Sequence, residues 1–180
     1  MDAWPGKRRL SLMVAAGLIA AFFWVSWRLP GGLELTVTPL KSGPPLLAVP
    51  LQPGERFTLH YYHSVENAPI WEEHSLDAAG RIFIEEERYL KFGAGMGRMP
   101  NVGRMVQRGE FEVIEDMHTP TGDFVLRVGN PGVDHTVIWR GRRKNLSAVA
   151  PHAAVKFSAR PVSLLYNLWR RIAPHPATPD

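Results

Sequence analysis

Eighteen consecutive residues without a charge, Leu10 to Trp27 (LSLMVAAGLIAAFFWVSW), stand directly behind Lys7, Arg8 and Arg9. A helix of that length measures about 27 Å, close to the roughly 30 Å of a bilayer's hydrocarbon core. The run is longer than the apolar core of a signal peptide, about 7–15 residues, and it ends without a small-x-small cleavage site. It ends instead in Trp24, Trp27, Arg28, Leu29 and Pro30, and tryptophans there suit the membrane interface. The segment therefore reads as an uncleaved signal anchor. A cleaved signal peptide, releasing the domain into the periplasm, is the alternative, and a buried helix of a soluble fold is a third reading. The excess of basic residues before the helix puts the N-terminus in the cytoplasm. The expected location is the inner (cytoplasmic) membrane, single-pass, with the remaining domain in the periplasm.

Beyond Pro30 the chain cannot be helical for long. The 180 residues include 16 Gly and 16 Pro, and these break the chain into short pieces. Strand character is present in Leu33–Thr38, Leu46–Leu51, Arg56–Val65, Trp71–Leu76, Arg81–Leu90, Glu110–Asp116, Phe124–Val128, Thr136–Trp139 and Val155–Ala159. Turn residues separate them, among them Pro44-Pro45, Pro53-Gly54, Ala79-Gly80 and Asn130-Pro131-Gly132. Many short strands at near-regular spacing predict a mainly β domain, an antiparallel β-sandwich or barrel. The expected organisation is a basic stub and anchor at residues 1–31, a β domain at 32–160, and a short amphipathic helix with a tail at 161–180.

Alternation assigns faces. Phe57, Leu59, Tyr61, His63 and Val65 share one side of the third strand; Thr58, His60, Tyr62, Ser64 and Glu66 share the other. In Arg81–Leu90, Ile82, Ile84, Glu86, Arg88 and Leu90 oppose Arg81, Phe83, Glu85, Glu87 and Tyr89. Glu85-Glu86-Glu87 puts charge on both faces, so this strand is expected to leave the core there.

The formal net charge of +4 conceals a strong partition. Residues 1–31 carry +3, residues 32–139 carry −6, and residues 140–180 carry +7. A nucleic-acid reader places its basic patch on the folded body; here the body is acidic and the ends are basic. A membrane surface or an acidic partner fits that distribution, and nucleic acid does not. The absence of cysteine excludes disulfides, thiolate metal sites and a Cys nucleophile.

Two polar motifs stand out: His63-Ser64-Val65-Glu66 with Pro69 and Glu72, and Phe92-Gly93-Ala94-Gly95 some twenty residues later. HSVExxPxxE followed by FGAG resembles the bacterial domain of unknown function 1850, over roughly Leu33 to Gly141. Members are similar in layout, a short hydrophobic N-terminal segment and one small domain. They tend to be encoded beside tripartite ATP-independent periplasmic (TRAP) transporters of the TAXI type. The resemblance implies an accessory subunit of a solute importer, with a TRAP membrane subunit or solute-binding protein as its partner.

From the residues alone the motifs allow several readings. His63, Ser64, Glu66, Pro69, Glu72, Phe92, Gly93 and Gly95 form either a structural corner or a ligand or partner site. A bulge at Ser64-Val65 would let His63 and Glu66 converge. A periplasmic hydrolase using His63 with Glu66 or Glu72 is a further reading, although no GxSxG elbow is present. Metal is not expected, for want of HExxH or comparable spacing. No cofactor is expected either: Gly93, Gly95 and Gly97 give GxGxG rather than a dinucleotide fingerprint, and there is no phosphate loop of the GxxxxGK[ST] type. Arg98, Arg104 and Arg108 read as solvated loop arginines, with contact to an anion such as a carboxylate as the alternative.

Toward the end, Arg140, Arg142, Arg143 and Lys144 cluster, and Pro161 introduces a predicted amphipathic helix over Val162–Ala173. A dozen residues cannot span a bilayer. That helix covers an open sheet edge, docks on a membrane surface, or meets an integral membrane partner.

Overall fold

The computed structural model describes residues 5–90 and 102–172. Phe92, Gly93, Gly95, Arg98 and the last residue of the predicted C-terminal helix, Ala173, lie outside them. The elements in chain order are α1 (Pro5–Arg28), β1 (Pro30–Pro39), β2 (Leu47–Leu51), β3 (Arg56–Tyr62), β4 (Pro69–Leu76), β5 (Ile82–Tyr89), β6 (Arg104–Arg108), β7 (Phe111–Glu115), β8 (Thr119–Pro120), β9 (Phe124–Arg127), β10 (Thr136–Trp139), β11 (Arg142–Asn145), α2 (Leu146–Val149), β12 (Ala154–Ser163) and α3 (Leu164–Ile172). The chain divides into two compact units, Met1–Gly32 with Pro161–Pro179, and Leu33–Arg160.

The second unit is the expected antiparallel β domain, and it is a sandwich. One sheet has the order β2-β1-β12-β9; the other runs β11-β10-β3-β4-β5-β7-β6, with β8 also paired to β5. Leu33, Leu35 and Val37 of β1 meet Phe57 and Leu59 of β3, Val137 of β10 and Val155 and Phe157 of β12 in one buried core. Four rings tie the sheets together. Phe57 stacks on His74 at 5.1 Å, His74 on Phe124 at 5.4 Å, Phe124 on Phe157 at 4.7 Å, and Phe57 on Phe157 at 6.2 Å. Two of these residues come from each sheet, so the stack is a cross-sheet rivet. A second, smaller core of Ile70, Tyr89 and Ile114 lies farther along the larger sheet, with Tyr61, Met105 and Met117 against it.

The strand read as leaving the core at its glutamates does not leave. Glu73 pairs with Glu86 but His74 pairs with Ile84, so Glu85 is an extra residue, a β-bulge. Because side chains alternate with period two, one extra residue exchanges the faces beyond it. Ile82 and Ile84 face inward before the bulge; Glu87 and Tyr89 face inward after it, opposite Glu72 and Ile70. Each glutamate has its own partner. Glu85 accepts from the Ser75 hydroxyl and pairs with His118 at 2.9 Å. Glu86 faces out to Arg88 at 2.9 Å and Arg108 at 3.0 Å. Glu87 accepts from the Tyr89 hydroxyl.

Three strands and a helical turn escape the sequence pattern. Arg104 and Arg108 are not loop residues: they lie on edge strand β6, ion-paired with Glu115, and Arg108 also with Glu86. The basic cluster at 142–144 forms β11, the opposite edge, joined to β10 by the two-residue turn Arg140-Gly141 with φ of 46° and 73°, values that a primed hairpin turn requires. Basic side chains on both edges of the large sheet oppose edge-to-edge association. The third strand, β8, is only two residues long. The turn α2 is too short for a helical period; its one signal is Asn145, which caps it by accepting from Ala148 N–H at 2.9 Å.

In the first unit, the apolar side chains of α1 are exposed: within Ser11–Arg28 only Ser26 is buried. The helix is long and apolar enough to cross a membrane, as a membrane anchor or as a signal sequence. The C-terminal helix starts at Leu164, two residues later than predicted. Val162 and Ser163 remain in β12, and the Ser163 hydroxyl accepts from Tyr166 N–H at 3.1 Å, which makes Ser163 the N-cap.

Removing one ring of the rivet tests its weight. Phe157→Ala is expected to lower stability by about 3–5 kcal/mol, measured by chemical denaturation followed by near-ultraviolet circular dichroism. Gly80, at φ +82°, has Ala159 O only 2.7 Å from where a Cβ would stand. Gly80→Ala is therefore expected to cost at least about 1–2 kcal/mol in the same measurement.

Candidate functional site

The HSVE motif is the loop that joins β3 to β4. Tyr62 pairs with Pro69, leaving residues 63–68 to turn the chain. His63 N–H donates to Ala68 O at 2.9 Å, and Asn67 N–H donates to His63 O at 2.9 Å, with Asn67 at φ 48°. His63 Nδ1 accepts from Glu66 N–H at 3.2 Å. The imidazole thus caps an otherwise open backbone amide, as turn residues do when they compete for local hydrogen bonds. His63 and Glu66 meet, but through the backbone of Glu66 and without the expected bulge. Ser64 and Val65 are exposed at the loop tip. Pro69 opens β4. On leaving β5, Leu90 N–H donates to Pro69 O at 3.4 Å.

Glu72 belongs elsewhere. It pairs with Leu59, three residues along β4 from the corner, or about 10 Å at the strand rise. There it faces the interior and joins residues the motif does not contain. Tyr61 Oη donates to Glu72 Oε1 at 2.8 Å, and His74 Nε2 lies 3.2 Å from Glu72 Oε2. Glu87 stands directly across from Glu72 on β5, with Tyr89 donating to it. His135 stacks on Tyr61 at 5.0 Å and accepts at Nδ1 from Gly129 N–H at 2.9 Å. The result is a largely buried line of Tyr61, Glu72, His74, Glu87, Tyr89 and His135 between the two apolar cores. Glu72 keeps 20% of its side chain exposed while His74 keeps 3%, so solvent reaches the line at Glu72.

Burial governs the electrostatics. Burial raises Glu87 above the ordinary glutamate range; the Tyr89 hydroxyl opposes that shift, and the charge of Glu72 across the strand adds to it. Burial, reinforced by the charge of Glu72 and by its bond to that carboxylate, pushes the Tyr61 hydroxyl up; burial and the bond to Glu87 do the same for Tyr89. Both tyrosines therefore stay protonated donors at physiological pH. Burial lowers His135, with the charge of Glu72 opposing, which favours a neutral ring. His74 has no partner at Nδ1; that atom sits in the ring stack, at a desolvation cost of about 1–3 kcal/mol. Two facing carboxylates, each accepting from a tyrosine hydroxyl, form an acceptor-rich network. Among the described residues, no group of three or more His, Asp or Glu side chains is placed to hold a metal ion.

The structure therefore splits the predicted residues. His63, Ser64, Glu66 and Pro69 make the corner, Glu72 sits in the buried network, and Phe92, Gly93 and Gly95 lie outside the described residues. The family model for a domain of unknown function, DUF1850, matches residues 57–146. The chain belongs to this family. The matched stretch holds the corner and the network entire, from β3 through β11, and omits β1, β2 and β12 of the smaller sheet. No curated protein and no solved structure matches the chain. Within the DUF1850 stretch, the sequence pattern does not single out His74, Glu87, Tyr89 and His135. Ile70-x-Glu72-x-His74-x-Leu76 carries a signal for the first of them, since alternate residues of a strand share a face.

A raised Glu87 contributes stability that is present below the ordinary glutamate range and is lost as pH rises through its folded value. Glu87→Gln keeps an acceptor for Tyr89 and removes the titration. The melting temperature of the variant relative to wild type is expected to climb with pH through that window, and a pH-independent difference counts against the burial argument. Glu72→Ala is expected to cost about 1–3 kcal/mol for each buried group it leaves unpaired, Tyr61 and His74, in denaturant titration.

Proposed function

We propose that this protein is a membrane-anchored periplasmic accessory module: α1 holds the β domain at the outer face of the inner membrane, N-terminus in the cytoplasm. There it assists a solute transporter of the TAXI-type TRAP class by contact with a membrane subunit or solute-binding protein. The observation that carries the anchoring is the bare helix. Leu12, Leu18, Phe22 and Trp24 are each 63–70% exposed, on all sides of a helix with no core to join, which is the surface lipid solvates. Lys7 to Arg9 supply the orientation, and the family resemblance in the two motifs supplies the transporter. A single helix offers no pathway for a solute, so the role is support rather than conduction.

The corner favours a non-catalytic module over a hydrolase. His63 spends Nδ1 on a backbone amide and stands apart from Glu72, whereas general acid–base work requires the two within hydrogen-bond reach of one substrate atom. A purely structural envelope protein is the second reading, favoured by the same self-satisfied corner.

Tagged full-length protein is purified from its native membrane in mild detergent and its companions are identified by mass spectrometry. Recovery of a TRAP membrane subunit or its solute-binding protein is the expected result. A preparation with no companion above an untagged control overturns the transporter role. His63→Ala separates the structural reading: loss of one loop hydrogen bond is expected to cost about 0.5–1.5 kcal/mol, leaving a folded domain whose retained or lost companion reports on the corner.

A further inference from the structure

The first unit joins α3 to the end of the apolar helix. Leu164 N–H donates to Leu29 O at 2.8 Å, one residue past the end of α1, and Asn167 Nδ2 donates to Gly31 O at 2.5 Å. Gly31 has no room for a side chain: a Cβ would stand 2.4 Å from Ser163 O. The helices α1 and α3 also touch one another. A helix tied so closely to the last residues of a membrane-crossing helix sits at the depth of the membrane surface.

Its exposed side chains match that depth. Leu168, Trp169 and Ile172 are 40%, 60% and 85% exposed. At 100° per residue these three and Leu165 fall within one 100° arc, an apolar stripe along the helix. Asn167, whose amide is spent on Gly31, lies on the other side. The helix has two arginines and no acidic residue. An exposed Trp/Leu/Ile stripe beside positive charge suits a surface of anionic phospholipid, where tryptophan favours the headgroup level.

We infer that α3 is an interfacial helix, lying in the headgroup region with Leu168, Trp169 and Ile172 inserted about 5–10 Å toward the acyl chains. The chain would then meet the membrane twice, once through it and once along it, and the positive charge of the helix would favour anionic headgroups. The inference rests on α1 being an anchor, so the test reads the two helices separately.

The chain has no cysteine, so a single introduced cysteine can be labelled without background. Full-length Ile172→Cys, Gly17→Cys and Val125→Cys are reconstituted in vesicles of phosphatidylcholine with phosphatidylglycerol and labelled with an environment-sensitive fluorophore. Residue 172 is 85% exposed, residue 125 is 57% exposed, and a side chain at 17 meets nothing within 4 Å, so all three variants keep the fold. The label at 172 is expected to be quenched by a nitroxide attached near the lipid headgroup and protected from aqueous iodide relative to 125. Iodide quenching at 172 equal to that at 125 overturns the inference. The label at 17 decides the anchor independently, through quenching by a deep-chain nitroxide: deep quenching at 17 with an aqueous 172 leaves the anchor standing and removes only the interfacial helix. Omitting phosphatidylglycerol is expected to weaken the protection at 172, and equal protection in neutral vesicles overturns the role of the arginines.

Discussion

One extra residue, Glu85, sets the register on which the interior depends. Were β5 regular, Glu86 and Arg88 would turn toward the core, and Glu87 and Tyr89 toward solvent. The bulge reverses this. It places Tyr89 on Ile70 and Ile114 to seed the second apolar core, and it sets Glu87 opposite Glu72. It also lets Glu86 collect Arg88 and Arg108 on the outside. Three consecutive glutamates, which would repel one another in an unfolded chain, are thereby sent in three directions, each with a partner.

A sandwich of this size has room for few buried charges, because removing an ion from water costs several kcal/mol unless it is bonded on arrival. The network meets that condition with short-range donors: a tyrosine for each carboxylate and a histidine ring for the second oxygen of Glu72. Neighbouring strands supply these partners in register, so the network exists only once β3, β4 and β5 are paired. It couples to the cross-sheet rivet through His74, which bonds Glu72 at one edge and stacks between Phe57 and Phe124 on its faces. A disturbance at Glu72 therefore reaches the contact between the sheets.

The outer face of the large sheet obeys another rule. His60 lies there, outside both cores, yet is buried under its own neighbours, Tyr62 at 5.4 Å and Trp71 at 5.0 Å; Trp71 in turn meets Phe111, with Arg88 over that ring. Burial, aided by the charge of Arg143, lowers its affinity for a proton. At the rims, arginine and lysine occupy β6 and β11, so the basic cluster that stands out in the sequence is spent on a sheet edge, while the arginines of β6 are spent on ion pairs to Glu86 and Glu115.

The sequence by itself determined whatever depends on neighbours in the chain. The uncharged run gave α1, the Gly and Pro breaks gave a mainly β domain, alternation gave the inward face of β3, and HSVExxPxxE with FGAG gave the family. Tertiary structure decided the rest, because it turns on pairing. A bulge has no composition of its own; Glu85 becomes extra only when Ile84 and Glu86 take consecutive partners on β4. Glu72 reads as part of the HSVE motif in one dimension, but pairing carries it three residues into the sheet, to Tyr61, His74 and Glu87. His135 reaches Tyr61 from the far side of the chain, just before β10. The strands β6 and β11 hold too much charge to show a hydrophobic alternation, and they exist because a neighbour offers them hydrogen bonds.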